Sequence, residues 1–87
     1  MRQYIRYYPR LRDMREDHDL TQTQIAEVLG TVQTQYSKYE QGIQEIPFHH
    51  AITLAKLYNI SLDYLAGLID EERPLYRDAH KKRQDNA

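Results

Sequence analysis

The 87-residue chain contains no cysteine and no tryptophan, a single phenylalanine, three glycines and three prolines. The missing thiol excludes a disulfide scaffold, a thiolate zinc site and a cysteine nucleophile. No apolar run approaches the roughly 18–20 residues needed to span a bilayer, and the arginine-bearing start lacks the apolar stretch of a signal peptide. Valine and threonine are few and never alternate with polar residues over a strand length, so strands are not expected. A chain this short buries roughly 60–65% of the surface its unfolded form exposes, which leaves a small core and little space for a deep enzymatic cleft. The expectation is one soluble, cytoplasmic, helical domain that is not an enzyme.

An excess of either charge is also missing. Twelve basic against 13 acidic side chains give a net charge of −1, unlike the basic excess usual in nucleic-acid binders. Position qualifies that total. Residues 1–12 carry Arg2, Arg6, Arg10 and Arg12 with no acid, whereas residues 13–20 set Asp13, Glu16, Asp17 and Asp19 against Arg15. A basic N-terminal end is therefore masked in the sum.

The few glycines and prolines punctuate helices. A first helix is expected from about Pro9 to Asp17, with Leu11 and Met14 inward. Thr21 followed by Gln24 forms a T-x-x-Q capping box that opens a second, with Ile25, Ala26 and Leu29 on its apolar face and Gly30 at its end. A third spans about Val32 to Gln41 and stops at Gly42. A fourth opens near Pro47 and runs to Tyr58, with Ala51, Leu54, Ala55 and Tyr58 as its stripe. Ser61 caps a short fifth, with Leu62 and Leu65 inward and Gly67 beyond. The polar tail around Leu75 and Tyr76 reads either as disordered or as a short sixth helix. The fold class is an all-α, compact five-helix domain at residues 10–68, between a basic and aromatic arm at 1–9 and a polar tail at 69–87.

Residues 22–41 meet the steric demands of two helices crossing at a tight turn. Ala26 is small where the helices touch, and Gly30 lies in the turn. Ile25, Leu29, Tyr36 and Tyr39 supply apolar anchors at the fourth, eighth, fifteenth and eighteenth positions counted from Gln22. At 100° per residue, Tyr36 and Tyr39 define the inward side of the third helix. Thr34, Ser37, Lys38 and Gln41 then face outward, with Gln33 on the flank, and no carboxylate among them. Glutamine pairs bidentately with adenine, lysine with guanine, and the threonine methyl meets the thymine methyl, so this face suits a major groove. Thr21 and Gln22 open the second helix, whose N-terminal N–H groups favour a phosphate.

With Leu20-Thr21-Gln22, Ile25-Ala26-Glu27-Val28-Leu29-Gly30, Tyr36-Ser37-Lys38-Tyr39-Glu40-Gln41-Gly42 and Leu54-Ala55-Lys56-Leu57-Tyr58-Asn59-Ile60-Ser61-Leu62-Asp63-Tyr64-Leu65 in order, the chain resembles the phage-repressor/Cro type of helix-turn-helix, the XRE family, over roughly Arg10 to Leu68. The resemblance implies a lambda-repressor-like domain of bacterial or phage origin whose third helix lies in the major groove of double-stranded DNA. It implies base-edge contacts by Gln33 and Thr34, with Ser37 and Lys38 reading bases or touching phosphate. Gln22 would brace the DNA backbone and support Gln33, Gln35 would reach sideways to a phosphate, and the loop from Gln41 to Gln44 would also meet the backbone. Arg15 and Glu40 match a paired arginine and glutamate that tie the first helix to the end of the third.

Two departures stand out. Val32 occupies the position where the family carries Ser or Thr as the cap of the third helix. Either Val32 caps and leaves a donor unsatisfied, or Thr31 caps and Val32 turns inward. The loop Ile43-Gln44-Glu45-Ile46 has no Lys or Arg, and Glu45 would repel phosphate. The arm is either a DNA-tracking extension or packs Ile5, Tyr7 and Tyr8 on the bundle with its arginines solvated. His18, His49, His50 and His80 show no metal spacing, and no cofactor, small-molecule ligand or membrane partner is expected. The functional expectation is a DNA-binding transcriptional regulator, a repressor acting as a homodimer on a pseudo-palindromic operator. The competing readings are a toxin–antitoxin antitoxin whose tail takes a protein partner, and a protein-interaction module without DNA binding.

Overall fold

Pro9 sits in the first turn of α1 (Pro9–Asp17), where a missing N–H costs no helical bond. The computed structural model describes residues 7–76, and its further helices are α2 (Gln22–Leu29), α3 (Gln33–Gln41), α4 (Phe48–Tyr58) and α5 (Leu62–Ala66). The described residues contain no strand. The capping box at α2 is reciprocal: the Gln24 N–H donates to Thr21 Oγ1 at 3.1 Å and the Thr21 N–H to Gln24 Oε1 at 2.8 Å. Ser61 caps α5 in the same sense, accepting from the Tyr64 N–H at 3.1 Å.

The helices bury the stripes their spacing sets, except that Leu62 of α5, expected inward, is only half-buried and lines a surface groove. Leu11 and Met14, Ile25, Ala26 and Leu29, Tyr36 and Tyr39, Leu54 and Tyr58, and Leu65 meet in one core with Ile46 and Ile60, and Tyr8, Leu20, Ala51 and Tyr64 pack on its edge. The closest pairing is α2 with α3. Burying one such aliphatic or aromatic side chain contributes roughly 1.5–3 kcal/mol, so this cluster supplies most of the drive to fold. The Tyr36 and Tyr58 hydroxyls are also inside, and burial pushes both phenols up, so they stay neutral.

One open alternative closes, and two expectations change. Val32, not Thr31, stands at the N-cap of α3, with extended backbone at φ −112° and ψ 159°, and it does not turn inward. The reason lies in the preceding turn. Gly30, at φ +76°, closes α2 in a Schellman arrangement that commits the Thr31 N–H to the Ala26 carbonyl at 2.9 Å. Thr31 thereby belongs to the end of α2. Second, Pro47 is the N-cap of α4, and Phe48 is its first residue. Third, residues 69–76 hold no helix at Leu75 and Tyr76. They fold back instead: the Ser61 N–H donates to the Arg73 carbonyl at 2.8 Å and the Tyr76 N–H to Asn59 Oδ1 at 2.9 Å. The rest of the tail, with His80, lies outside the described residues.

The basic N-terminal end also divides. Arg10 stacks on the Tyr64 ring at 3.9 Å and donates to the Tyr64 and Ile69 carbonyls at 2.8 and 2.5 Å, so it fastens α1 to the end of α5. Arg12 pairs with Glu16 at 2.9 Å along its own helix. Arg2, Arg6 and Ile5 lie outside the described residues. Tyr7 crosses the end of α3: a Cβ on Gly42, itself at φ +80°, would come within 3.0 Å of the Tyr7 Cβ. Glycine is required there on both counts.

Candidate nucleic-acid interface

Arg15 and Glu40 lie 25 residues apart and meet beneath the end of α3. Arg15 Nε donates to Glu40 Oε2 at 2.7 Å, Nη2 to Oε1 at 3.2 Å, and Nη1 to the Leu20 carbonyl at 2.9 Å. The side chains are 13% and 4% exposed, so this ion pair is shielded from solvent. Burial alone would push the Glu40 carboxyl up. Its hydrogen bonds, led by those from Arg15, outweigh that and hold it below the usual carboxylate range. The bond to Glu40 likewise outweighs desolvation at Arg15 and holds its guanidinium charged.

The pair extends outward through two amides. Gln22 Nε2 donates to Glu40 Oε1 at 3.0 Å, and Gln33 Nε2 donates to Gln22 Oε1 at 2.6 Å. Because an ionised carboxylate only accepts, Gln22 must turn its NH2 group inward and its oxygen toward Gln33. Gln33 in turn must direct an N–H at Gln22. Gln33 is exposed, and that bond leaves its Oε1 and second N–H, one acceptor and one donor, the pair that matches the major-groove edge of adenine. The amide orientations of both glutamines thus follow from one buried charge.

The remaining side chains of the face are mixed in exposure. Thr21, Thr34, Lys38, Gln41 and Gln44 are exposed, whereas Gln22, Gln35 and Ser37 are half-buried. Gln35 Nε2 hydrogen-bonds Gln44 Oε1 across the turn, and Gln41 Nε2 donates to Ser37 Oγ at 2.7 Å. Gln35 is therefore engaged with the loop rather than reaching sideways. The loop returns because Gly42 adopts the left-handed conformation and the Lys38 carbonyl accepts from the Ile43 and Gln44 N–H groups at 3.0 and 3.3 Å. Glu45, expected to repel phosphate, accepts a hydrogen bond from the Tyr8 hydroxyl at 3.0 Å.

Sequence reasoning missed the Gln22–Glu40 bond, the Gln35–Gln44 bond and the exposure of Val32. The i, i+4 spacing of Ser37 and Gln41 could have signalled their pairing; no local pattern reports the others. The rings of His49 and His50, neighbours on α4, lie 4.2 Å apart between centroids. No group of three His, Cys, Asp or Glu side chains among the described residues is placed to hold a metal, and none of the helices there is long and apolar enough to cross a membrane.

Two short helices crossing at a left-handed glycine, with a carboxylate-free face on the second, define a helix-turn-helix unit. A family model described as helix-turn-helix matches residues 11–65, and the chain belongs to this XRE-type family of DNA-binding transcriptional regulators. The chain is 40% identical over 68 residues to the uncharacterized HTH-type transcriptional regulator YobD of Bacillus subtilis, covering 78% of this chain and 61% of that one. It is 32% identical over 72 residues to a second such regulator of that organism, YqaE, covering 83% and 61%. The chain thus spans about 61% of the length of these curated relatives. The crystal structure of a transcriptional regulator from Listeria innocua superimposes with a TM-score of 0.65 at 25% identity, over 86% of this chain and 67% of that one.

Proposed function

We propose that the chain binds double-stranded DNA sequence-specifically and represses transcription by occupying a pseudo-palindromic operator as a homodimer, without catalysing a reaction. The docking unit is residues 10–68, between the arm at 1–9 and the tail at 69–87. The observation that carries the reading is the relay from Arg15 through Glu40 and Gln22 to Gln33, which pre-orients a base-reading amide on an exposed face that lacks carboxylates. Gln33 and Thr34 read base edges. Lys38, Ser37 and Gln41 follow in the groove, while Thr21, Gln22 and Gln44 hold the phosphate backbone on either side, with Gln35 bracing Gln44. Titration against a random duplex pool at low and high salt tests this. Binding that selects a subset of the pool and weakens as salt rises is expected; no salt-dependent binding to any duplex overturns it.

A single short recognition helix contacts too little DNA for useful specificity, which is why such modules work on paired half-sites. The second copy is assigned to the side where α4 begins. A groove of about 670 Å³ lies there between Tyr8, the start of α4 and α5, with Leu11, Ile46, Leu62 and Leu65 in its walls. Phe48 and Leu68 flank it, 71% and 76% exposed. Exposed apolar surface beside a groove suits a twofold contact in which each copy offers these side chains to the other. Pro47 joins this surface to the loop after α3, so pairing here sets the separation of two recognition helices. Phe48→Glu is expected to leave the fold intact, abolish self-association in sedimentation, and weaken operator binding by about thirtyfold or more, the size of a hot-spot effect. Unchanged self-association removes this surface as the interface.

A further inference from the structure

Val32, at the N-cap of α3, is used by neither the core nor the capping chemistry. It is 63% exposed, so the core does not employ it, and its side chain makes no cap hydrogen bond. A single exposed valine is ordinary on a protein surface. This one stands at the N-cap of α3, where Ser, Thr, Asp or Asn would satisfy a first-turn N–H, so the fold forgoes a favourable contact to hold two methyl groups there. It also stands at the leading end of the helix, the end whose residues reach base edges in this class of motif. Gln33, its neighbour, is tethered through Gln22, so this end presents its side chains in one arrangement. The β-branched side chain has little rotamer freedom left to lose on contact.

We propose that Val32 reads the C5-methyl group of a pyrimidine next to the base pair met by Gln33, which rests on the DNA-binding reading above. Among the four bases of DNA, thymine alone carries a methyl group in the major groove, and 5-methylcytosine presents the same group. Val32 and the exposed Thr34 then flank Gln33 with methyl groups, so the site prefers an adenine contact bordered by methylated pyrimidine. Covering one such methyl group is worth about a fourfold change in affinity.

The test starts from a duplex recovered by selection with the intact chain, in which each thymine of the half-site is exchanged singly for uracil. That exchange removes the methyl group and leaves the pairing edge unchanged. One position is expected to lose about fourfold with the wild type, and 5-methylcytosine there to bind more tightly than cytosine. Val32→Ser restores a polar cap, so it is expected to melt about 4–8 °C higher and to bind thymine and uracil duplexes equally. Val32→Thr keeps one γ-methyl and should fall between. Specific binding in which no exchange matters, or in which Val32→Ser retains the discrimination, overturns this inference and leaves the DNA-binding reading standing. Failure of the wild type to select any duplex overturns that reading and this inference together.

Discussion

Arg15→Met is expected to lower the stability of the domain by about 3–5 kcal/mol at neutral pH. Domains of this kind hold only about 5–15 kcal/mol in all, so the variant is expected to stand near the edge of folding. The cost arises from what is left behind. Glu40, 4% exposed at its side chain, would keep its charge in a site that has lost both guanidinium donors. The Leu20 carbonyl, which closes the turn before α2, would lose its donor as well. Glu40→Gln should cost less, because the guanidinium, which cannot shed its proton, still has the Glu16 carboxylate at 3.9 Å and the Leu20 carbonyl at 2.9 Å. Removing both charges together, as in Arg15→Met with Glu40→Leu, is expected to recover much of the loss, since a buried pair roughly balances its own desolvation. A double-mutant cycle on denaturant midpoints measures that coupling.

The pH dependence separates these variants. In the wild type, Glu40 has a carboxyl lowered in the folded state, so its stabilising contribution is complete above the usual carboxylate range. That contribution is lost as pH falls through the lowered value. In Arg15→Met, burial acts without the arginine to offset it. The carboxyl then rises above its unfolded value, and the sign inverts: the penalty is greatest at neutral pH and is relieved as the group takes up a proton. Thermal melting curves of wild type and Arg15→Met from about pH 3 to pH 8 should therefore converge in acid. Parallel curves would mean that Glu40 is not the titrating group.

The helix ends were legible because their chemistry is local. The Thr21–Gln24 capping box, Gly30 and Gly42 in left-handed closures and Ser61 before α5 each act within a few residues. The core stripes followed from spacing for the same reason. What could not be read depends on how separate segments meet. Whether Thr31 or Val32 caps α3 turns on the Thr31 N–H already being held by Ala26 at the end of the preceding helix. Gln35 finds Gln44 only because Gly42 turns the loop back upon α3. Arg10 looks like part of a basic arm in the sequence, yet its partners Tyr64 and Ile69 are 54 and 59 residues away. The family resemblance placed Arg15 against Glu40 and Gln22 beside Gln33, but the Gln22–Glu40 bond that joins the two pairs needed the side-chain positions. The gap thus falls within the candidate site, where recognition depends on amide orientation.

Gln33→Ala is expected to remove about 1–3 kcal/mol of discrimination at one base pair of each half-site while leaving thermal stability near wild type, since the side chain is exposed. The loss should be selective. With its Nε2 held by Gln22, Gln33 can offer Oε1 and one N–H to adenine without choosing between rotamers. An untethered glutamine would have to give up side-chain freedom on docking, at roughly 0.5–1.5 kcal/mol. Gln22→Ala should therefore weaken binding by a smaller amount, concentrated at the same base pair, and the two substitutions together should cost less than their sum. Glu40→Gln provides the third leg. An amide at position 40 both donates and accepts, so Gln22 is no longer obliged to turn its oxygen outward, and discrimination at that base pair should fall even where the variant remains folded. Affinities for duplexes carrying each of the four bases at every half-site position measure all three effects. A Gln33→Ala variant that weakens every duplex evenly would place this side chain on the phosphate backbone, and a Gln22→Ala variant with wild-type base preference would show that the tether does not govern reading.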